Sequence, residues 1–238
     1  MIDIVGWLDR TFYPKFKDNW DDELFREKIL SYVKPDHHIL DLGAGAGIVE
    51  QMHFQGKVAH VCGVDLDPRV IDNPHIDEGR VADAGSIPYE SNRFDLVFAD
   101  NVMEHLAEPV AVFSEIQRVL KPGGLLLFKT PNRSHYMPLI SRLTPHSFHQ
   151  FYNRMRGREE DDTFPTCYLA NSKTQIINIA ALTGLEVFEI DRIEGRPEYL
   201  RLSALTYVVG ICYERVVNSF SQFSRFRILL IAALRKAS

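Results

Sequence analysis

The chain has 238 residues, 45% hydrophobic and 25% charged, which suits one substantial α/β domain and excludes collagen-like, disulfide-scaffold and wholly disordered classes. It carries 27 basic against 32 acidic side chains, a net charge of −5, so no nucleic-acid partner is expected. Cys62, Cys167 and Cys212 have no paired spacing, which argues against a disulfide framework or a zinc site and for idle thiols in a reducing compartment.

The opening residues, MIDIVGWLDR, lack the basic and then apolar regions of a signal peptide, and no apolar stretch is long enough to span a bilayer. A cytoplasmic location is therefore expected. Asn19 to Val33 reads as a helix stopped by Pro35, with Trp20, Leu24, Ile29 and Val33 near helical spacing. His38 to Leu42 reads as a buried strand running into Gly43-Ala44-Gly45-Ala46-Gly47. Further strands are expected at Ala59–Leu66, Gly79–Asp83, Phe94–Ala99 and Leu125–Thr130, with a helix over Glu108–Leu120. Such alternation of helices with apolar strands predicts a parallel sheet covered on both faces. Residues 132–171 break the pattern with His, Arg, Pro and an acidic run, Glu159 to Asp162, which is most simply a solvated loop. A helix from Ser172 to Leu182 with a Gly184 cap, a strand from Leu185 to Arg192, and another strand within Tyr199 to Val209 complete the expected elements.

A glycine loop after a first strand lets a ligand approach the backbone, and a following helix would point its N–H groups at that ligand. The same loop also serves as a tight strand-to-helix turn. The dinucleotide fingerprint requires a third glycine where Ile48 stands, which disfavours a nicotinamide-dependent enzyme. Asp65, closing the second strand, can accept both hydroxyl protons of a ribose. Asp67 before Pro68 reads as a helix cap. Asp83 reads equally as an acceptor for an adenine amino group or as a loop cap.

The segment Ile39 to Gly47 (ILDLGAGAG) resembles the first motif of the class I S-adenosylmethionine-dependent methyltransferases. Gly63 to Asp67 (GVDLD) resembles their second. Ala82 to Tyr89 with Phe94 to Phe98, and Val119 to Leu126 (VLKPGGLL), resemble the later motifs in order and separation. The resemblance implies a Rossmann-like, doubly wound α/β sheet of seven strands, the last antiparallel, with S-adenosyl-L-methionine as cofactor. It implies that Asp41, Gly43 and Gly45 surround the methionine part, Asp65 with Leu66 binds the ribose, Asp83 with Ala84 meets the adenine, and Asn101 and Val102 flank the sulfonium. Tyr13 and Arg26 are expected to close the site. On this reading residues 1–36 are a helical cap, 37–210 the methyltransferase domain, and 132–171 a substrate-selecting insert.

Methyl transfer to a hydroxyl benefits from a base. His105 lies nearest the expected pocket, and it reads either as that base or as packing over the cofactor. His146 and His149 in the insert are further candidates. No third ligand of suitable spacing joins them, and Asp100-Asn101 with Asn132 offers only one carboxylate, so no metal is expected. Phe148, Phe151, Tyr152, Phe164 and Tyr168 suit an apolar or sugar-stacking pocket or a small local core. Arg133, Arg142, Arg154, Arg156 and Arg158 suit an anionic acceptor. After Glu214 the chain has five basic and no acidic residues, and Phe223, Phe226, Leu230 and Leu234 recur at helical spacing. A basic amphipathic helix over 211–238 is expected, lying on a membrane surface, on the domain or on a second subunit as a homodimer contact. The expected function is methylation of a small molecule: oxygen of a saccharide, lipid-linked or quinone-type acceptor, or carbon of a quinone or lipid precursor. The alternative is a non-catalytic S-adenosylmethionine-binding protein.

Overall fold

The computed structural model describes residues 3–16, 18–138 and 165–238. Its helices are α1 (Ile4–Phe12), α2 (Trp20–Leu30), α3 (Pro109–Val119), α4 (Lys173–Thr183) and α5 (Ala204–Ser219). Its strands are β1 (His38–Leu42), β2 (His60–Asp65), β3 (Glu78–Val81), β4 (Phe94–Asp100), β5 (Leu120–Pro131), β6 (Leu185–Ile193) and β7 (Leu229–Lys236). The chain forms two compact units, one of residues 21–130, 166–191 and 230–238, the other of 1–20, 131–165 and 192–229.

The first unit is built on a seven-stranded sheet in the order β3-β2-β1-β4-β5-β7-β6, with β7 antiparallel, as the resemblance implies. β1 pairs in parallel with both β2 and β4, so chain direction through the sheet switches between them. In an open α/β sheet that switch point opens a crevice beyond the strands' carboxyl ends. Ile39, Leu40 and Leu42 of β1 and Leu96, Val97 and Phe98 of β4 are fully buried, the signature of strands covered on both faces. α3 turns Val112, Phe113, Ile116 and Val119 into this core, and α4 turns in Ile176, Ile179 and Ala180. Ser172 caps α4 by accepting from Gln175 N, and Gly184 ends it at φ 70°.

Three expectations are corrected. No α-helix follows the glycine loop: Ile48 and Val49 are extended or exposed, and only a single 3₁₀ turn, Glu50–Met52, forms. The strand expected within Tyr199 to Val209 is instead the start of α5. Its signal was a capping box in which the Ser203 hydroxyl accepts from Thr206 N while Thr206 Oγ1 accepts from Ser203 N. The expected basic amphipathic helix over 211–238 does not exist as such. Residues 204–219 are α5, and Leu229 to Leu234 are all buried within β7. A short continuous apolar run buried on both faces has no periodicity that separates strand from helix. The basic residues are spent locally: Lys236 donates to Leu120 O at 2.8 Å, and Arg227 donates to Val217 O and Arg192 O at 3.2 and 3.0 Å.

In the second unit α1 and α5 pack through Leu8, Tyr13, Tyr207 and Ile211. A polar network lies inside. Asp9 accepts from the Tyr207 hydroxyl and from Arg201 Nη2 at 2.6 Å. Glu214 accepts from the Tyr13 hydroxyl at 3.0 Å and from Asn218 Nδ2 at 2.7 Å. Beside it, buried His135 faces buried Glu194 at 3.8 Å, and Glu194 accepts Ile228 N–H at 2.7 Å. Burial, reinforced by Glu214, pushes the Glu194 carboxyl up to about 8, and burial pushes the His135 imidazole down to about 3.

Candidate functional site

The chain leaves β1 through the glycine loop, and the loop is tied to the neighbouring strand. Gly43 N and Ala44 N both donate to Val64 O, at 2.8 and 3.3 Å. Gly43 stands at φ 92°, and a Cβ there would meet Val102 Cγ2 at 2.4 Å, so glycine is required by both conformation and contact. The buried Asn73 amide locks the loop by donating to Ala44 O at 3.1 Å and Gly45 O at 3.2 Å. Asp65, at the end of β2, is then fixed by two backbone donors on different oxygens: Gly45 N on Oδ2 at 2.7 Å and Asp67 N on Oδ1 at 2.9 Å. Each carboxylate oxygen keeps acceptor capacity for a second donor. Leu66 beside it is 58% exposed, and Asp67 caps the turn beginning at Pro68 as expected.

The same sheet edge is strongly acidic. Asp41 is buried, and burial followed by the nearby charges of Asp100 and Asp65 raises its carboxyl well above the usual range. Asp100, ending β4, is pushed up to about 6 by burial, although Lys129 pulls the other way. Lys129 is wholly buried on β5 and is held by Asp100 and Asp21, each at 3.0 Å, and by Asp22. Burial would discharge that ammonium, but the three carboxylates overcome it and raise its pKa. Asp21, Asp22 and Asp100 thus hold that ammonium, which commits Asp100 to Lys129, while Asp41 lies within electrostatic reach of both Asp100 and Asp65, so this edge favours a cationic guest.

Asn101 adopts the left-handed backbone at φ 53°, unusual for a residue other than glycine. Its N–H donates to Lys129 O and its side-chain amide to Asp100 Oδ1, both at 3.0 Å. This bend brings Val102 against Gly43. His105 ends the following 3₁₀ turn, half-buried, with its backbone N–H on Val102 O. The preceding Glu104 is buried and accepts from Thr130 Oγ1 at 2.9 Å, and its carbonyl accepts from Cys167 N and Tyr168 N, so the His105 turn is pinned to Cys167 and Tyr168. Asp83 is exposed and accepts from Gly85 N at 2.7 Å, which realises the loop-cap reading, while its second oxygen lies outside that bond. Half-buried Ala84 packs against the core. The Asp83–Tyr89 loop is clamped from α3: Glu115 accepts from Ile87 N, and Arg118 donates to Ile87 O and Tyr89 O.

The structure therefore gathers Asp41, Gly43, Gly45, Asp65, Leu66, Asn101 and Val102 at the carboxyl ends of β1, β2 and β4, with Asp83 and Ala84 following β3. Arg26, expected to close the site, instead supports the loop from behind by donating to Gln51 O at 2.5 Å and His53 O at 2.8 Å. Tyr13 belongs to the second unit, where its hydroxyl is committed to Glu214. His146 and His149 lie outside the described residues, as do Phe148, Phe151, Tyr152, Phe164 and the arginines at 142, 154, 156 and 158. Sequence reasoning missed Lys129, Asn73 and Arg118. A lysine in the apolar run LLLFKT was the available signal for the first.

Residues 40–128 match the family model of the methyltransferase domain. The chain is 29% identical over 138 residues to a ubiquinone biosynthesis O-methyltransferase of Paraburkholderia phytofirmans, covering 51% of this chain and 59% of that protein. A solved phosphoethanolamine N-methyltransferase 2 of Haemonchus contortus, in complex with S-adenosyl-L-methionine, is similar with a TM-score of 0.58 at 22% identity, covering 100% of this chain and 61% of that one. A solved cyclase, SpnF, is similar with a TM-score of 0.58 at 17% identity, covering 90% of this chain and 81% of that one. The chain spans little more than half the length of the first curated relatives it matches, 59% and 58%. The structural likenesses establish the fold. Residues 40–128 thus carry a methyltransferase-domain match, and the sheet around them has the fold of the solved methyltransferases it resembles.

Proposed function

We propose that this chain transfers the methyl group of S-adenosylmethionine to a small-molecule acceptor, and that the acceptor atom is oxygen on a saccharide, lipid-linked or quinone-type compound. The observation that carries the cofactor assignment is Asp65: one backbone donor on each oxygen fixes the carboxylate and leaves each oxygen acceptor capacity, as a vicinal diol requires. The glycine loop beside it admits the amino-acid end of the cofactor without a Cβ in the way. The acidic edge around Asp41 and Asp100 suits a guest that carries an ammonium and a sulfonium. When bound, the cofactor supplies a methyl group already activated for in-line displacement.

The protein's own task is then alignment and proton removal. Asn101 and Val102 would border the sulfonium, and His105, one turn further on, would accept the acceptor's hydroxyl proton. The name of the Paraburkholderia relative supports oxygen as the acceptor atom. Calorimetric titration with S-adenosylhomocysteine should give saturable heat, and Asp65→Ala should weaken it about hundredfold, the loss expected for two hydrogen bonds to a charged acceptor. No heat with the intact chain would defeat the proposal.

The likeness to SpnF favours one other reading, a cofactor-binding chain that performs different chemistry. Formation of S-adenosylhomocysteine with a panel of hydroxylated acceptors separates the two. His105→Ala should lower that turnover about 10²-fold or more while leaving cofactor affinity nearly intact; a large loss of affinity would make His105 a scaffold residue.

A further inference from the structure

The carbonyl groups of the glycine loop are held by two side chains that are joined to each other. Asn73 donates to Ala44 O and Gly45 O at 3.1 and 3.2 Å, and the half-buried imidazole of His53 bonds Gly47 O through Nε2 at 3.0 Å. A carbonyl can only accept, so His53 carries a proton on Nε2. The loop is pressed onto this support: Gly47 stands at φ 72°, and a Cβ there would meet Asn73 Oδ1 at 2.3 Å. Asn73 Oδ1 in turn accepts from His75 N at 2.9 Å. The His75 ring lies flat on the His53 ring, with centroids 3.4 Å apart and planes 13° from parallel. Arg26 fixes the other end of His53 by donating to its carbonyl. The support therefore closes on itself, from the loop through Asn73, His75 and His53 back to Gly47.

In a trans peptide the N–H points away from the C=O of the same unit, and no peptide of this loop is cis. A bond that fixes a carbonyl therefore also fixes the N–H of the next residue, on the opposite side of the chain. Holding Ala44 O, Gly45 O and Gly47 O turns the N–H groups of Gly45, Ala46 and Ile48 away from Asn73 and His53. For Gly45 the result is visible, because its N–H reaches Asp65 Oδ2 at 2.7 Å. Asn73 sets the first two of these peptide units, and His53 sets the third. Donors whose directions are set during folding need no reordering when a guest arrives. The flat stack on His75 serves the same end, since it restrains a side chain that would otherwise lose rotamer freedom to make its bond.

We infer that His53, braced by His75, is a positioning residue for cofactor binding: it touches no part of the guest and acts by orienting the Gly47–Ile48 peptide. The inference rests on the cofactor reading above and adds to it a residue outside the glycine loop. Three variants of the full chain separate the hydrogen bond from the ring. His53→Phe keeps a flat ring for His75 and removes the donor. His53→Gln removes the ring and keeps an amide N–H near the place of Nε2. His53→Leu removes both. Two measurements are made on each: the affinity for S-adenosylhomocysteine by calorimetry, and, without ligand, the hydrogen exchange of the peptide spanning residues 43–52, with the β5 peptide as control. His53→Phe should bind about fivefold more weakly, the loss of one neutral hydrogen bond, and its loop should exchange about fivefold faster while β5 does not change. His53→Gln should restore most of both, and His53→Leu should be the weakest of the three. A role in folding alone would instead speed exchange in β5 as well and would not be rescued by Gln. Binding and exchange unchanged in His53→Phe, or no rescue in His53→Gln, overturns the inference. No heat with the intact chain defeats the cofactor reading and the ligand half of this inference with it; the ligand-free exchange rates then decide whether His53 sets the loop.

Discussion

Asp65 shows how a single residue becomes a binding group. Its side chain is not free to rotate, because Gly45 N and Asp67 N each hold one oxygen. The entropy of orienting the carboxylate is met during folding rather than on binding. Gly43 plays the complementary part of absence. Gly43→Ala would force a left-handed alanine costing about 1–3 kcal/mol and drive a methyl group into Val102. The expected outcome is a lower melting temperature together with a loss of S-adenosylhomocysteine affinity; a variant that melts normally and binds normally would show that the loop tolerates a side chain. Asp65 and the glycines were legible from sequence because they are contiguous with a strand end. Lys129 was not, because its partners Asp21 and Asp22 lie 108 and 107 residues away, and only the sheet brings them together.

Elements were legible where local chemistry and long-range packing agree. β1 spans the residues read from the sequence, His38 to Leu42, because a short run carrying Ile39, Leu40 and Leu42 between Pro35 and a glycine loop has little alternative. α5 and β7 were not, and for opposite reasons. α5 begins with β-branched and aromatic residues, Thr206, Tyr207, Val208 and Val209, that suggest a strand until the Ser203 cap is noticed. β7 shows apparent helical spacing only because almost every position is apolar. The short junction between β6 and α5 carries a further prediction. Glu194 has a carboxyl raised above its unfolded value, so the folded chain binds more protons than the unfolded chain between roughly pH 4.5 and about 8. Its contribution to stability therefore falls as pH rises through that window. Glu194→Gln should raise the melting temperature at pH 8.5, by on the order of 1–3 kcal/mol in stability, and should do so little at pH 5. Comparing the two proteins at each pH removes the opposing effect of His135, whose depressed imidazole favours higher pH. A variant equally destabilised at both values would mean that the carboxylate, not the carboxylic acid, is the native form.

At the scale of the molecule, each unit is assembled from three separate stretches of chain. No local pattern announces such interleaving, since hydrophobic periodicity reports which face of an element is buried and not against what. The net charge illustrates the same limit. The basic tail read as one feature in sequence, yet Arg227 and Lys236 are spent on carbonyl groups, while Arg215 remains at the surface of α5. The order β5-β7-β6 adds a temporal consequence. β7 follows in the chain both strands that it joins. During translation β6 therefore emerges with no hydrogen-bonding neighbour, and β5 keeps a bare edge, until residues 229–236 leave the ribosome. Unpaired strands of that kind are templates for intermolecular pairing, so the nascent chain is at its most vulnerable to aggregation just before the sheet is completed.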